Sequence, residues 1–334
     1  MLTVLLIGIG VVLTALLGFL LIGRGTVTEN VEYGVTFSRP YAEELGLDAE
    51  AALIATLDDL GVRRFRIPAY WSELETSRDI WNFRALDRQI DLIERRGGTI
   101  ILAIGEKAPR WPECWTPDWW KDLPRDEQKE RTLLYIETIM TRYRDRKAVV
   151  AWQIENEAHF AYGECPTIDR SFFEEEVARA RSVDPSRPIT TTDSGELSLW
   201  ISYGKNIDAL GVSTYRVVRS PVIGVWRYWF IPPFSYARKA ALVRPWGPKT
   251  VYVSEFQMEP WNATPLQETP IEDQFETFDI QQMRANLRFA ERMGLSPIDF
   301  WGVEWWYWMK ETQNQPEFWK EMKSFLDTKK ADAL

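Results

Sequence analysis

The sequence predicts an α/β fold, a single (β/α)8 barrel behind an N-terminal apolar helix, and three observations predict it. Short apolar runs alternate with amphipathic helical stretches about eight times. The alternation occupies roughly 300 residues, which argues for a parallel sheet, and its eight repeats favour closure into a barrel over an open sheet. Two of the runs end in a glutamate, Glu157 and Glu255, which places each carboxylate at the carboxyl end of a buried strand. In a closed barrel of parallel strands those ends share one mouth.

The strand-like runs fall near 33–37, 62–68, 99–104, 149–154, 189–192, 209–213, 250–254 and 298–303. The helices between them carry legible ends. Asp48 precedes Leu53, Leu57 and Leu60, spaced i, i+4, i+7, and Gly61 closes that helix. Leu86, Ile90 and Ile93 repeat the pattern before Gly97, and Ile280, Met283, Leu287 and Ala290 repeat it before Gly294. Phe318, Met322 and Phe325 make the last helix. No GxGxxG or phosphate-cradling loop follows the first strand, which counts against dinucleotide binding, and no second domain is indicated.

Residues 1–22 contain no charged side chain and are long enough to span a bilayer core of roughly 30 Å. They lack a basic start and a good cleavage signal, so 1–23 reads as an uncleaved transmembrane anchor, with a cleaved signal peptide as the alternative. A linker over 24–30 then leads into the barrel, 31–330. The composition, 45% hydrophobic and 27% charged, is that of a globular chain. A net charge of -9 argues against a nucleic-acid partner and gives no reason for adsorption to anionic headgroups. A single histidine and two cysteines argue against a structural zinc, and no cofactor is called for. Cys114 and Cys165 belong to loops expected at the same end of adjacent strands, so a disulfide between them is expected, the alternative being two free thiols.

The 17 tryptophans are the compositional outlier. Most are expected in the core, but several follow predicted strands, where a flat ring can stack on a sugar. Trp111, Trp115, Trp119 and Trp120 surround Cys114 and are expected to wall a cleft. Trp226, Tyr228, Trp229, Phe230 and Phe234 dress an insert after the sixth strand, which suits an acceptor wall, a membrane surface or plain packing.

Arg66 ends the second strand, Asn156 and Glu157 follow the fourth, Tyr215 the sixth, Glu255 the seventh, and Trp301 or Trp305 the eighth. This ordered set resembles clan A of the retaining glycoside hydrolases, a superfamily of (β/α)8 barrels with cellulase-like and β-galactosidase-like members. The resemblance implies Glu157 as general acid/base, Glu255 as nucleophile, Asn156 as the partner of the sugar 2-hydroxyl, and Arg66 and Tyr215 as supports of Glu255. It implies one of Trp301 and Trp305 as the pocket floor, and an oligo- or polysaccharide as substrate. Glu259 competes for the nucleophile role from a looser position past the strand.

The expected activity is cleavage of β-glycosidic bonds through a covalent glycosyl-enzyme, by a membrane-anchored enzyme. A transglycosylase on the same machinery, a non-catalytic glycan-binding barrel, and a magnesium-dependent lyase or isomerase using Glu157, Asp193 and Glu255 are the alternatives. Arg24 beside the apolar segment pulls the barrel toward the cytoplasm by the positive-inside tendency. A disulfide and a glycan substrate pull it outward, and an extracytoplasmic barrel is the expectation.

Overall fold

Eight parallel strands close into a barrel, in a computed structural model that describes residues 2–165, 167–220, 222 and 224–332. The strands are β1 (Tyr33–Thr36), β2 (Arg64–Pro68), β3 (Thr99–Ile104), β4 (Val149–Ile154), β5 (Ile189–Ser194) and β6 (Ala209–Thr214). A two-stranded hairpin of β7 (Val217–Ser220) and β8 (Gly224–Arg227) interrupts the series, which resumes with β9 (Thr250–Gln257) and β10 (Ile298–Trp301). Around the barrel the order is β1-β10-β9-β6-β5-β4-β3-β2. The seventh and eighth barrel strands are therefore β9 and β10.

The expected caps and stripes form these elements. Asp48 Oδ1 accepts from the N–H groups of Glu50 and Ala51, 2.9 and 3.1 Å away, and starts the helix Ala49–Asp58. Leu53, Leu57 and Leu60 are fully buried, each contributing about 1.5–3 kcal/mol relative to exposure. Six tryptophans, including Trp71, Trp152 and Trp305, are also fully buried, which accounts for part of the aromatic excess.

Of the strand ends that differ by a few residues from expectation, two matter for the site. β9 runs on to Gln257, so Glu255 projects from within the strand. β10 stops at Trp301, short of the expected 303, because Gly302 adopts φ 126° and turns the chain into the helix Val303–Glu311. A Cβ on Gly302 would stand 2.7 Å from the Cβ of Glu259, so only glycine fits that turn.

The apolar N-terminus is a helix, Leu2–Leu21. Met1 lies outside the described residues. The end of this helix is docked on the helix Phe234–Val243. Ser235 Oγ donates to the Leu20 carbonyl at 2.7 Å and Arg238 to the Ile22 carbonyl at 2.8 Å, which caps the negative end of the helix. Among the described residues no helix is long and apolar enough to cross a membrane, so the transmembrane span expected over 1–23 is not shown.

Candidate active site

The carboxyl ends of β3 and β4 are laced together around Glu155. Its carboxylate accepts the N–H groups of Glu106 and Lys107, both at 2.7 Å. Gly105 makes room for it, because a Cβ there would meet the Glu155 carboxyl carbon at 2.4 Å. This clamp holds Glu155 and Glu157 in left-handed backbone, φ 59° and 47°, which side-chain-bearing residues adopt only when their surroundings enforce it. Lys107 Nζ donates to the Glu157 carbonyl at 3.1 Å, and the Glu157 N–H donates to Thr192 Oγ1 at 2.9 Å. Glu157 is thereby turned into the barrel mouth, where it is 6% exposed.

Glu255 faces the same space from β9. Arg66, fully buried on β2, reaches three partners: Nη1 donates to Glu255 Oε1 at 2.7 Å, Nη2 to Asn156 Oδ1 at 2.6 Å, and Nε to Gln153 Oε1 at 2.7 Å. The second oxygen of Glu255 accepts from the Tyr215 hydroxyl at 2.8 Å. Asn156 Oδ1 also accepts from Thr192 Oγ1 at 2.7 Å, so its amide orientation is set and its nitrogen is aimed away from Arg66.

Burial lifts the Glu157 carboxyl, and the negative charge of Glu255 lifts it further, to about 8. A hydrogen bond from Ser213 Oγ to Glu157 Oε1 works in the opposite direction. One acid is thus protonated at neutral pH, while the other carries the hydrogen bonds that an ionised carboxylate accepts. Two carboxyls facing one pocket, one of them held protonated, are the equipment of acid-assisted glycoside cleavage.

Several residues here were not legible in the sequence. Glu113, on the loop after β3, is a third acid in the pocket. Its Oε2 accepts from Asn156 Nδ2 at 3.2 Å, and burial first, then the charges of Glu157 and Glu255, hold its carboxyl well above the ordinary range. The neighbouring Cys114 is bridged to Cys165, as expected, with Cα atoms 4.8 Å apart, and Gly163 packs against the Glu113 side chain. Adjacency to a bridged cysteine was the only sequence signal for it. Thr192, Ser213 and Gln153 gave none, because small polar residues in a strand look like ordinary β formers.

Other expectations need correction. Trp305 is in the helix Val303–Glu311, fully buried between Phe278 and Phe318, with Nε1 donating to Gln274 Oε1 at 2.7 Å. It is a core residue, because the chain turns at Gly302 before reaching it. Glu259, past the end of β9, is buried and paired with the Arg110 guanidinium, outside the Arg66 and Tyr215 hydrogen bonds that hold Glu255. Of the four tryptophans expected to wall a cleft, only Trp111 is at the rim, 62% exposed and edge-on to Tyr162. Trp115 packs on Tyr70, and Trp119 and Trp120 pack on Trp71, so these three fasten the loop to its own scaffold. Trp301 does end β10 at the mouth, yet Arg110 covers one face of its ring at 4.0 Å.

Among the described residues no group of three or more His, Cys, Asp or Glu side chains is placed to hold a metal ion. Glu157, Asp193 and Glu255 therefore do not make the magnesium site weighed above.

A (β/α)8 barrel that gathers paired acids, an arginine and an asparagine at its mouth belongs to the class of the glycoside hydrolases. The match of residues 26–215 to the cellulase family, glycosyl hydrolase family 5, makes the chain a member of that family. The matched stretch contains Arg66, Asn156, Glu157 and Tyr215, and ends before Glu255.

Solved structures share the fold. A β-galactosidase from Rahnella sp. R3 is 12% identical with a TM-score of 0.63, over 93% of this chain and 58% of its own. The exo-β-1,4-mannosidase Op5Man5 from Opitutaceae bacterium strain TAV5 is 16% identical with a TM-score of 0.57, over 93% and 62%. Xylanase 10B from Thermotoga maritima is 16% identical with a TM-score of 0.59, over 90% and 96%. The chain thus spans only about six-tenths of the first two, 58% and 62%. No curated protein sequence matches the chain.

Proposed function

We propose that the protein cleaves β-glycosidic bonds with retention, by double displacement through a glycosyl-enzyme on Glu255. The observation that carries this reading is the meeting of two acids at one mouth, with Glu157 raised to about 8 and Glu255 hydrogen-bonded by Arg66 and Tyr215. Glu255 attacks the anomeric carbon while Glu157 gives its proton to the departing glycosidic oxygen. The ester that forms removes the negative charge of Glu255, so Glu157 loses the repulsion that raised it and becomes a competent base. It then takes a proton from water, the water oxygen attacks the anomeric carbon, and Glu255 leaves as a carboxylate. Asn156 Nδ2 keeps one hydrogen beyond its bond to Glu113, and that hydrogen serves the sugar 2-hydroxyl.

The test is a panel of aryl β-glycosides with wild type, Glu157→Ala and Glu255→Ala. Loss of activity in Glu255→Ala, with azide giving an inverted glycosyl azide, is the expected result. Glu157→Ala should lose about 10²–10⁴-fold on poor leaving groups and far less on good ones. An undiminished Glu255→Ala would remove this mechanism.

The reading includes an anchor. Residues 1–22 carry no charge, and the helix Leu2–Leu21 ends against the helix that follows the β7–β8 hairpin. On that insert Trp229 is 82% exposed, beside Phe230 and Trp226, and such rings favour a membrane surface. The Cys114–Cys165 bridge favours an extracytoplasmic barrel. Recovery of the full chain in the membrane fraction after a high-salt wash, and of a chain lacking 1–23 in the supernatant, is expected. A full chain found only in the supernatant would defeat the anchor.

A further inference from the structure

We infer that the sugar pocket is blind on its glycone side, so that the enzyme removes one sugar at a time from a chain end. The inference rests on the glycosidase reading above and adds the substrate class. Glu157 leans toward β5 and β6, because its N–H is held by Thr192 and its carboxyl by Ser213 at 2.6 Å. The proton it supplies goes to the leaving oxygen, so the aglycone departs on the β5–β6 side. The glycone, and any sugars attached beyond it, must then lie toward the ends of β10, β1, β2 and β3.

That side is filled. Arg110, on the loop after β3, reaches over the ends of β2 and β1, and its guanidinium is sandwiched between Tyr41 at 3.8 Å and Trp301 at 4.0 Å. It is fastened to Glu259 beyond β9 and to Glu304 beyond β10, the latter at 2.8 Å. Glu304 in turn accepts the N–H of Ser38 after β1. The Tyr70 hydroxyl, after β2, donates to the Pro109 carbonyl at 2.9 Å, just before Arg110. Ser38, Tyr70, Arg110, Glu259, Trp301 and Glu304 are all buried. A cleft that accommodates a polymer is open at both ends, whereas this buried network ties the ends of β1, β2, β3, β9 and β10 to one another across the glycone side.

The wall is also hard to displace. Arg110 has two buried carboxylates as partners, and its removal would leave both without a counter-charge in a low-dielectric site. The opposite rim is bridged more loosely by rings, with Tyr162 5.9 Å from Trp261, and Trp261 4.7 Å from Tyr215. Ring contacts of this kind are weaker fastenings than the buried ion pairs of Arg110.

The experiment uses the intact protein and the sugar that the aryl β-monoglycoside panel identifies. A β-linked tetrasaccharide of that sugar, labelled at its reducing end, should yield labelled tri- and then disaccharide in order, with monosaccharide as the sole unlabelled product. The aryl β-disaccharide should release its aryl group only after a lag, at an initial rate about 100-fold or more below the monoside. Early release of unlabelled oligosaccharide, or aryl release from the disaccharide without a lag, overturns the blind pocket. Inactivity on every aryl monoside would instead sink the glycosidase reading itself, so the two failures are distinct. Arg110→Ala should shorten the lag. If that chain does not fold, the wild-type product order still decides.

Discussion

Ser213 Oγ donates to Oε1 of Glu157 across 2.6 Å, so a strand residue on β6 directly tunes the acid that follows β4. The bond favours the ionised carboxylate and partly opposes the burial and the Glu255 charge that raise it. The proposed mechanism needs Glu157 protonated, so kcat/KM should fall as pH rises through about 8. Ser213→Ala removes the opposing bond and should move this basic limb to higher pH. A pH–rate profile of both proteins checks it, and an unmoved limb would count against Glu157 as the acid.

Arg66 gives separate hydrogen bonds to Glu255, Asn156 and Gln153. Lysine keeps the charge but not the planar fork, so Arg66→Lys should fold and lose kcat more than KM. Arg66→Met should cost about 3–5 kcal/mol in stability, because Glu255 would remain buried without its cation. Denaturant titration beside steady-state kinetics separates the two effects.

Glu113 bonds Asn156 and its carboxyl is pushed well above the ordinary range, so Glu113→Gln keeps the shape and the neutral form that the shift favours. Its kcat/KM should stay close to wild type at pH 6, while Glu113→Ala should lose about five- to tenfold through a looser Asn156. Equal losses in the two variants would show that the ionised form is the one used.

The Cys114–Cys165 bridge closes a separation of 51 residues. Chain-entropy reasoning gives it about 4 kcal/mol. The double serine variant should unfold at lower denaturant than the oxidised wild type. Reductant should destabilise the wild type and leave the variant unchanged.

The raised acids also set a pH dependence of stability. Glu157 and Glu155 retain protons in the folded state, up to about 8 and about 7, that the unfolded chain has already lost. Their stabilisation is complete below the ordinary carboxylate value and is lost as pH rises through the folded values. The melting temperature should therefore decline from pH 5 to pH 8. Glu157→Gln should melt above wild type at pH 8 and converge with it near pH 5. A wild type equally stable at both ends would contradict the raised acids.

Much of the scaffold was readable because it repeats. Leu53, Leu57 and Leu60 recur at helical spacing, Asp48 caps, and apolar runs end at Glu157 and Glu255, so barrel and acids follow from local pattern. The reading failed where the chain changes direction within a motif. Trp301 and Trp305 are alternative strand-end rings in the sequence, and the turn at Gly302 leaves Trp301 at the end of β10 and takes Trp305 into the core.

The sequence by itself determined the barrel, the two acids and their order, because hydrophobic periodicity and strand-end position are local properties. Only the tertiary structure decided that Glu113 joins those acids, that Ser213 and Thr192 orient Glu157, and that Arg110 pairs with Glu304 beyond β10. Each of these contacts links residues more than thirty positions apart. The physical reason is that charge repulsion, desolvation and hydrogen bonding act through space, and closing the barrel is what makes distant side chains neighbours.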